Sequence, residues 1–327
     1  MRWSLSLVVL AASAATVARA QSPGSRGGSA DGTNHGATVS TPYGATDMAS
    51  HMEMAAATSG GATGLVLDDP SLPASAATAA ARLAKSPRHR EDVMIPTPGV
   101  PGDSIHAWVY YPQVSHKAPV VVVIHEIFGM STWIRGVGDQ LAADGYIAIV
   151  PDFLHGKQLP GAPDSVSVDA AIAAIRTLNP ADVQRDIAAA AAYATHLPAA
   201  LPVYGTIGFC WGGGVSFAHD VQPPVNGGPT LKATVIYYGT PPDSGTLSAA
   251  RAPALGLYGG NDARVSSTVP GTDSAMRRLH KAYDFKVYAG AGHGFLRAQE
   301  DMAGANATAT QDAWPRTLAW FRKYLHT

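Results

Sequence analysis

Cysteine is all but missing from this chain: its 327 residues contain one, Cys210. A single thiol excludes an internal disulfide framework and every zinc or iron–sulfur site built from several cysteines. Charge is scarce too. Only 14% of residues are charged, against about 25% in an average soluble domain. Lys+Arg number 23 and Asp+Glu 24, for a net charge of −1. So balanced a chain has no field to attract nucleic acid or an anionic membrane, and neither is expected as a partner. No apolar run reaches the ~20 residues that span a bilayer. What the chain has in plenty is glycine, 34, and proline, 24, so turns are frequent.

Three regions follow from the change in composition along the chain. Met1 to Ala20 carries a basic Arg2, an apolar run from Trp3 to Ala15, and the small-x-small tripeptide Ala18-Arg19-Ala20. That pattern predicts an export signal cleaved after Ala20, although an N-terminal anchor helix is an alternative. The mature protein is expected to be periplasmic or extracellular, unattached to a membrane, and monomeric. Residues 21–87 are rich in Gly, Ser, Ala and Thr without a core-forming period. They predict a low-complexity flexible segment dispensable for catalysis. Within it, Ala74 to Lys85 can form a short Ala-rich helix stopped by Ser86-Pro87. The Met/His cluster from Asp47 to Met54 has ligands suited to soft ions such as Cu(I), but nothing fixes their geometry. It reads as solvated linker, and no metal site is expected.

Residues 88–327 alternate strands and helices. Strands are predicted at Ala107–Tyr111, Pro119–His125, Tyr146–Val150, Val203–Gly208, Ala233–Tyr238, Ala254–Tyr258 and Phe285–Tyr288. Helices are predicted at Ser131–Asp144, Ala181–His196 and Ala313–Leu325. The alternation, with the continuous apolar run PVVVVI at Pro119–Ile124, predicts one α/β domain with a mostly parallel central sheet flanked by helices.

Gly208-Phe209-Cys210-Trp211-Gly212 has the form of a nucleophile elbow, with Cys in the position often held by Ser. A nucleophile on a sharp strand-to-helix turn needs glycines where backbones approach, and the helix that follows points its N–H groups at the sulfur. A buried structural Cys is the plainer reading of this segment alone. Gly259-Gly260-Asn261-Asp262 and Gly290-Ala291-Gly292-His293-Gly294 each follow a strand. The order Cys, Asp, His is that of α/β-hydrolases, with His293 as proton carrier and Asp262 fixing its tautomer. The loop His125-Glu126-Ile127-Phe128-Gly129 is placed to supply the Ile127 N–H to an oxyanion hole shared with the Trp211 N–H. It also brings Glu126 near Cys210, where a carboxylate can accept the thiol proton.

Together HEIFG, GYIAIVPDF, GFCWGGG, YYG, GGND and GHGF resemble the dienelactone hydrolase family (carboxymethylenebutenolidases) from about Arg88 to Thr327. The resemblance implies an α/β-hydrolase fold, a triad of Cys210, Asp262 and His293, and a Glu126 that hydrogen-bonds the resting thiol. It also implies an Arg297 that binds a substrate carboxylate. Phe128, Phe153, Trp211 and Tyr238 line the cleft or belong to the core. The family has a second carboxylate-binding Arg after the P-D-hydrophobic segment, where this chain has His155-Gly156-Lys157. The expected function is hydrolysis of small esters or lactones through a thioester, without cofactor, with neutral esters still accepted. The alternatives are a thiol-dependent peptidase or acyltransferase, and a non-catalytic binding or thiol-sensing protein.

Overall fold

The structure, a computed structural model, describes residues 69–157, 159 and 167–326. The expected export signal and the Met/His cluster lie outside the described residues. Eight strands form one sheet: β1 (Arg90–Pro96), β2 (Ser104–Tyr110), β3 (Ala118–Ile124), β4 (Ile147–Pro151), β5 (Ala200–Phe209), β6 (Thr230–Tyr237), β7 (Ala254–Gly259) and β8 (Tyr283–Tyr288). Their order is β1-β2-β4-β3-β5-β6-β7-β8. β1 pairs with β2, and β2 with β4, antiparallel; the other neighbours are parallel. This is the mostly parallel sheet expected, and every residue of the central β3 is buried. β1 was not expected. It opens Arg-Glu-Asp and alternates exposed with half-buried residues. Charges of this kind protect a sheet edge and hide a strand from any search for apolar runs.

The helices that matter for the site are α1 (Ala79–Ala84), α2 (Thr132–Ala143), α3 (Val168–Ile175), α4 (Pro180–Thr195), α5 (Trp211–Asp220), α6 (Ala263–Ser266), α7 (Val269–Arg278) and α8 (Ala305–Leu325). Ser131 caps α2 by accepting from the Ile134 N–H, as the Ser-before-helix pattern leads one to expect. α8 starts eight residues before the expected Ala313 and carries Pro315 within it. Among the described residues no helix is long and apolar enough to cross a membrane.

The expected domain boundary near residue 87 needs correction. Residues 69–87 form an arm that packs on the domain, with Leu72, Ala74, Ala79 and Leu83 buried in the main core. A Cβ placed on Gly136 of α2 would lie 3.6 Å from the Ala79 methyl, so α1 rests where that glycine leaves room. Side chains from distant segments fasten the arm's carbonyls. Trp133 Nε1 donates to Ala74 O (3.0 Å), Gln140 Nε2 to Pro70 O (3.2 Å) and Gln299 Nε2 to Pro73 O (2.9 Å). The arm escapes detection because its own residues are small. The large and polar groups that hold it belong to other parts of the chain.

Arm docking makes a measurable contribution. Burying Leu72 and Leu83 is worth roughly 1.5–3 kcal/mol each. A chain starting at Arg88 should therefore be less stable than one starting at Asp69 by about 3 kcal/mol or more. Urea unfolding of the two chains measures the difference, and equal midpoints would show that the arm contributes nothing.

Candidate active site

Four loops, at the C-terminal ends of β3, β5, β7 and β8, carry the residues gathered around Cys210. The elbow comes first. Cys210 has φ 56° and ψ −118°, and it stands as the N-cap of α5. Its N–H donates to Tyr237 O (3.0 Å), which holds the turn against β6. The flanking glycines have no room for a side chain. A Cβ on Gly208 would lie 1.9 Å from Gly212 O, and one on Gly212 would lie 2.4 Å from both Ile124 O and His125 O. The left-handed φ at Cys210 is costly for a residue with a side chain. It turns the chain sharply from β5 into α5, with Cys210 at the helix N-terminus.

Asp262 ends the turn after β7 and His293 lies in the loop after β8. The His293 Nδ1–H donates to Asp262 Oδ2 at 2.6 Å. With Nδ1 so engaged, Nε2 is the nitrogen left for Cys210. Burial works against a charged imidazole, but the Cys210 sulfur and the Asp262 hydrogen bond outweigh it and raise His293 to about 10. Burial likewise pushes Asp262 up, but the His293 hydrogen bond, the charges of His293 and Arg264 and the Val265 N–H together outweigh it, leaving the carboxyl below its usual range. Asn306 of α8 braces this loop: its Oδ1 accepts from the Gly292 N–H (2.9 Å) and its Nδ2 donates to Ala298 O (2.7 Å). Nothing local in the sequence marks Asn306.

The loop after β3 brings Glu126 into the same space. Its side chain is 4% exposed, and Oε2 lies 3.3 Å from Arg297 Nε. The contact is an ion pair by distance without the alignment of a hydrogen bond. Burial raises Glu126 to about 8; Arg297 opposes the rise and Cys210 adds to it. Arg297 is also stacked over the Phe128 ring, 4.4 Å from its centroid. Of the possible partners for Arg297, the structure thus selects Glu126 and Phe128. The Ile127 N–H, expected in an oxyanion hole, makes no hydrogen bond to another described residue. Trp211, the other expected oxyanion donor, is the first residue of α5.

His125 has a role the sequence did not disclose. Its Nδ1–H donates to Glu126 O (2.7 Å) and its Nε2 accepts from the Phe153 N–H (3.3 Å). Burial lowers its pKa, which favours the neutral ring these two bonds require. The ring also stacks on Trp211 (5.5 Å) and meets Phe153 (5.2 Å). Trp211 and Phe153 are buried, so here they act as core. Tyr238, at φ 41°, packs its ring 5.0 Å from His293. Burial, and then Glu126 and Cys210, hold its phenol well above the ordinary range. Lys157 lines a polar recess of about 260 Å³ together with Asp152 and His155. Those two residues and His106 are the one His/carboxylate group among the described residues with metal-ligand spacing.

The geometry joins a thiol on a helix N-terminus, an imidazole and a carboxylate in one line. A second carboxyl and a guanidinium stand beside the sulfur. Such a set can attack an acyl carbon, carry the proton and hold an anionic group nearby.

The model of the dienelactone hydrolase family matches residues 105–325. A carboxymethylenebutenolidase-like protein of Salmonella typhimurium is 30% identical over 236 residues, covering 68% of this chain and 84% of its own. One of Methylorubrum extorquens is 32% identical over 233 residues, covering 67% and 77%. A dienelactone hydrolase-like crystal structure from Klebsiella pneumoniae superposes with a TM-score of 0.62 at 28% identity, covering 72% of this chain and 99% of that one. The dienelactone hydrolase of Anabaena variabilis has a likeness of fold, with a TM-score of 0.54 at 20% identity and coverage of 73% and 99%.

The raised Glu126 carboxyl has a consequence for stability. Between the ordinary glutamate value of 4.5 and about 8, the folded protein holds a proton here that the unfolded chain has released. Stability therefore falls as pH rises through that window. Glu126→Gln has no proton to lose, so its stability relative to the parent should grow from pH 5 to pH 8, by on the order of 3 kcal/mol. Urea titrations of both proteins at several pH values test this. A constant difference would show that Glu126 ionises at its ordinary pKa.

Proposed function

The chain belongs to the dienelactone hydrolase family, and from that premise we propose that it is an exported hydrolase of small esters or lactones with Cys210 as its nucleophile. The observation that carries this reading is the strained Cys210 at the elbow, facing a His293 whose other nitrogen is bonded to Asp262. Cys210 sulfur attacks the acyl carbon, and the carbonyl electrons move to oxygen. The N–H groups of Ile127 and Trp211 are the donors for that oxyanion. His293 delivers its proton to the departing alkoxide as the carbonyl re-forms, leaving a thioester on Cys210. His293 then takes a proton from water, the hydroxide oxygen adds to the thioester, and the thiolate leaves with the acid as product. Asp262 stabilises the imidazolium at each stage.

Arg297 gives the site its preference. Its side chain is 29% exposed while its neighbour Glu126 is buried. A substrate carboxylate entering from solvent therefore reaches the cation before it meets the acid. A bidentate pair of that kind contributes on the order of 1.5–3 kcal/mol. Export rests on the pattern of residues 1–20, and intact mass of protein from its native host, starting at Gln21 or at Met1, decides it.

Cys210→Ala should lower hydrolysis of p-nitrophenyl acetate by about ten-thousand-fold. One equivalent of iodoacetamide should silence the parent and label only the Cys210 peptide. Full activity in Cys210→Ala would end the proposal. Arg297→Ala should cost an acidic lactone at least about ten times more in kcat/KM than a neutral ester of similar size. Equal losses would mean that Arg297 supports the loop and does not read substrate charge.

A further inference from the structure

We infer that His106, Asp152 and His155 form a binding site for one divalent transition-metal ion of the zinc class. The argument starts from strand register. β2 and β4 run antiparallel with Ala107 opposite Pro151, and the next pair outward is His106 with Asp152. The Asp152 N–H donates to His106 O at 2.8 Å, so the pairing continues one residue beyond the strand. Residues directly opposite in an antiparallel pair project on the same face. His106 and Asp152 are thus neighbours by construction.

The chain then turns at once. The His155 N–H donates to Asp152 O (3.1 Å), and the Leu154 N–H to Asp152 Oδ1 (3.0 Å). This turn returns the His155 ring to within 5.8 Å of the His106 ring. One donor atom from each of the three residues lies within 4.8 Å of the other two. Zinc takes nitrogen and carboxylate oxygen at about 2.0–2.2 Å, which places tetrahedral ligand atoms roughly 3.4 Å apart. Closing the set needs a contraction of roughly an ångström, and His155 is exposed, with room to swing.

Two features separate this group from an incidental surface cluster. Asp92 Oδ1 lies 2.6 Å from His106 Nε2, so a carboxylate fixes the imidazole as outer partners of metal-bound histidines do. Asp152 and His155 also line the polar recess that Lys157, Asp103 and Asp182 share. Two imidazoles among three donors favour zinc, nickel, cobalt or copper over calcium and magnesium. Three protein ligands leave a position open to water or to an anion. The ion would clamp β2 to the turn that carries Phe153, which packs edge-on against Trp211 beside the nucleophile.

This inference stands apart from the proposed hydrolysis, and its test does not use activity. The full chain carrying Cys210→Ser, which removes the thiol as a competing ligand, is titrated with ZnCl2 against a chromophoric chelator. One Zn2+ per chain is expected, with affinity reduced at least tenfold by His155→Ala and about tenfold by Asp92→Ala. The melting temperature should rise with Zn2+ in the parent and stay unchanged in His155→Ala. Since His155 is exposed, that variant should fold. Co2+ in place of Zn2+ should give visible d–d bands that His106→Gln removes. Affinity in His155→Ala within twofold of the parent would overturn the proposal. So would affinity lost with His51→Ala, which would put the ion on the Met/His cluster of residues 47–54.

Discussion

Where β5 turns into α5 there is no space for one more carbon atom. Gly208, Gly212 and Gly213 face backbone atoms of α5, of the loop after β3, and of Tyr237 and Gly239, at distances that any Cβ would violate. This crowding presses three loops into contact and keeps Cys210 at its left-handed φ. The strain at one residue is sustained because the packing around it has no relaxed alternative. The same closeness brings the segment leading to Glu126 and the first turn of α5 together, with Gly212 against the carbonyls of Ile124 and His125.

The charges around Cys210 form a set that cannot all ionise. Asp262, Glu126 and the Cys210 sulfur are potential anions, and His293 and Arg297 the facing cations. With burial favouring neutral forms, the least solvated and least directly bonded acid retains its proton, and that acid is Glu126. Asp262 ionises because His293 donates directly to it. The two carboxyls thus shift in opposite directions: burial raises Glu126, and at Asp262 the His293 hydrogen bond and nearby cations overcome burial.

Much of this was legible in the sequence wherever the determinants are local. Cys210, Asp262 and His293 each follow a strand inside a glycine-rich turn, and a strand, a turn and a polar residue can be read in sequence order. The parallel sheet was legible for the same reason, through runs such as that of β3. What could not be read depends on register and long-range contact. β1 hides behind its edge charges. Asn306 is an ordinary helix residue until the His293 loop lies against it, and Gln299 an ordinary loop residue until the arm does. His106 and Asp152 become partners only once β2 is known to pair with β4. The arm of residues 69–87 is the largest of these cases, since small residues without a period become core by being covered.

That arm also constrains the order in which the molecule can be finished. Gln299 holds Pro73 across 226 residues of sequence, and the Ala76 N–H reaches Arg297 O (2.9 Å). During synthesis the arm emerges before any strand of the sheet, yet part of its docking surface is made near the end of the chain. Its contacts are of high contact order and close the longest loop among the described residues they join, so they form late on the folding path. Until then the loop bearing Arg297 is held to the amino-terminal side of the domain by the contacts of Arg297 with Glu126 and Phe128. The backbone around Arg297 and Gln299 is therefore among the last parts of the domain to take shape, completed by the earliest part of the domain to be made.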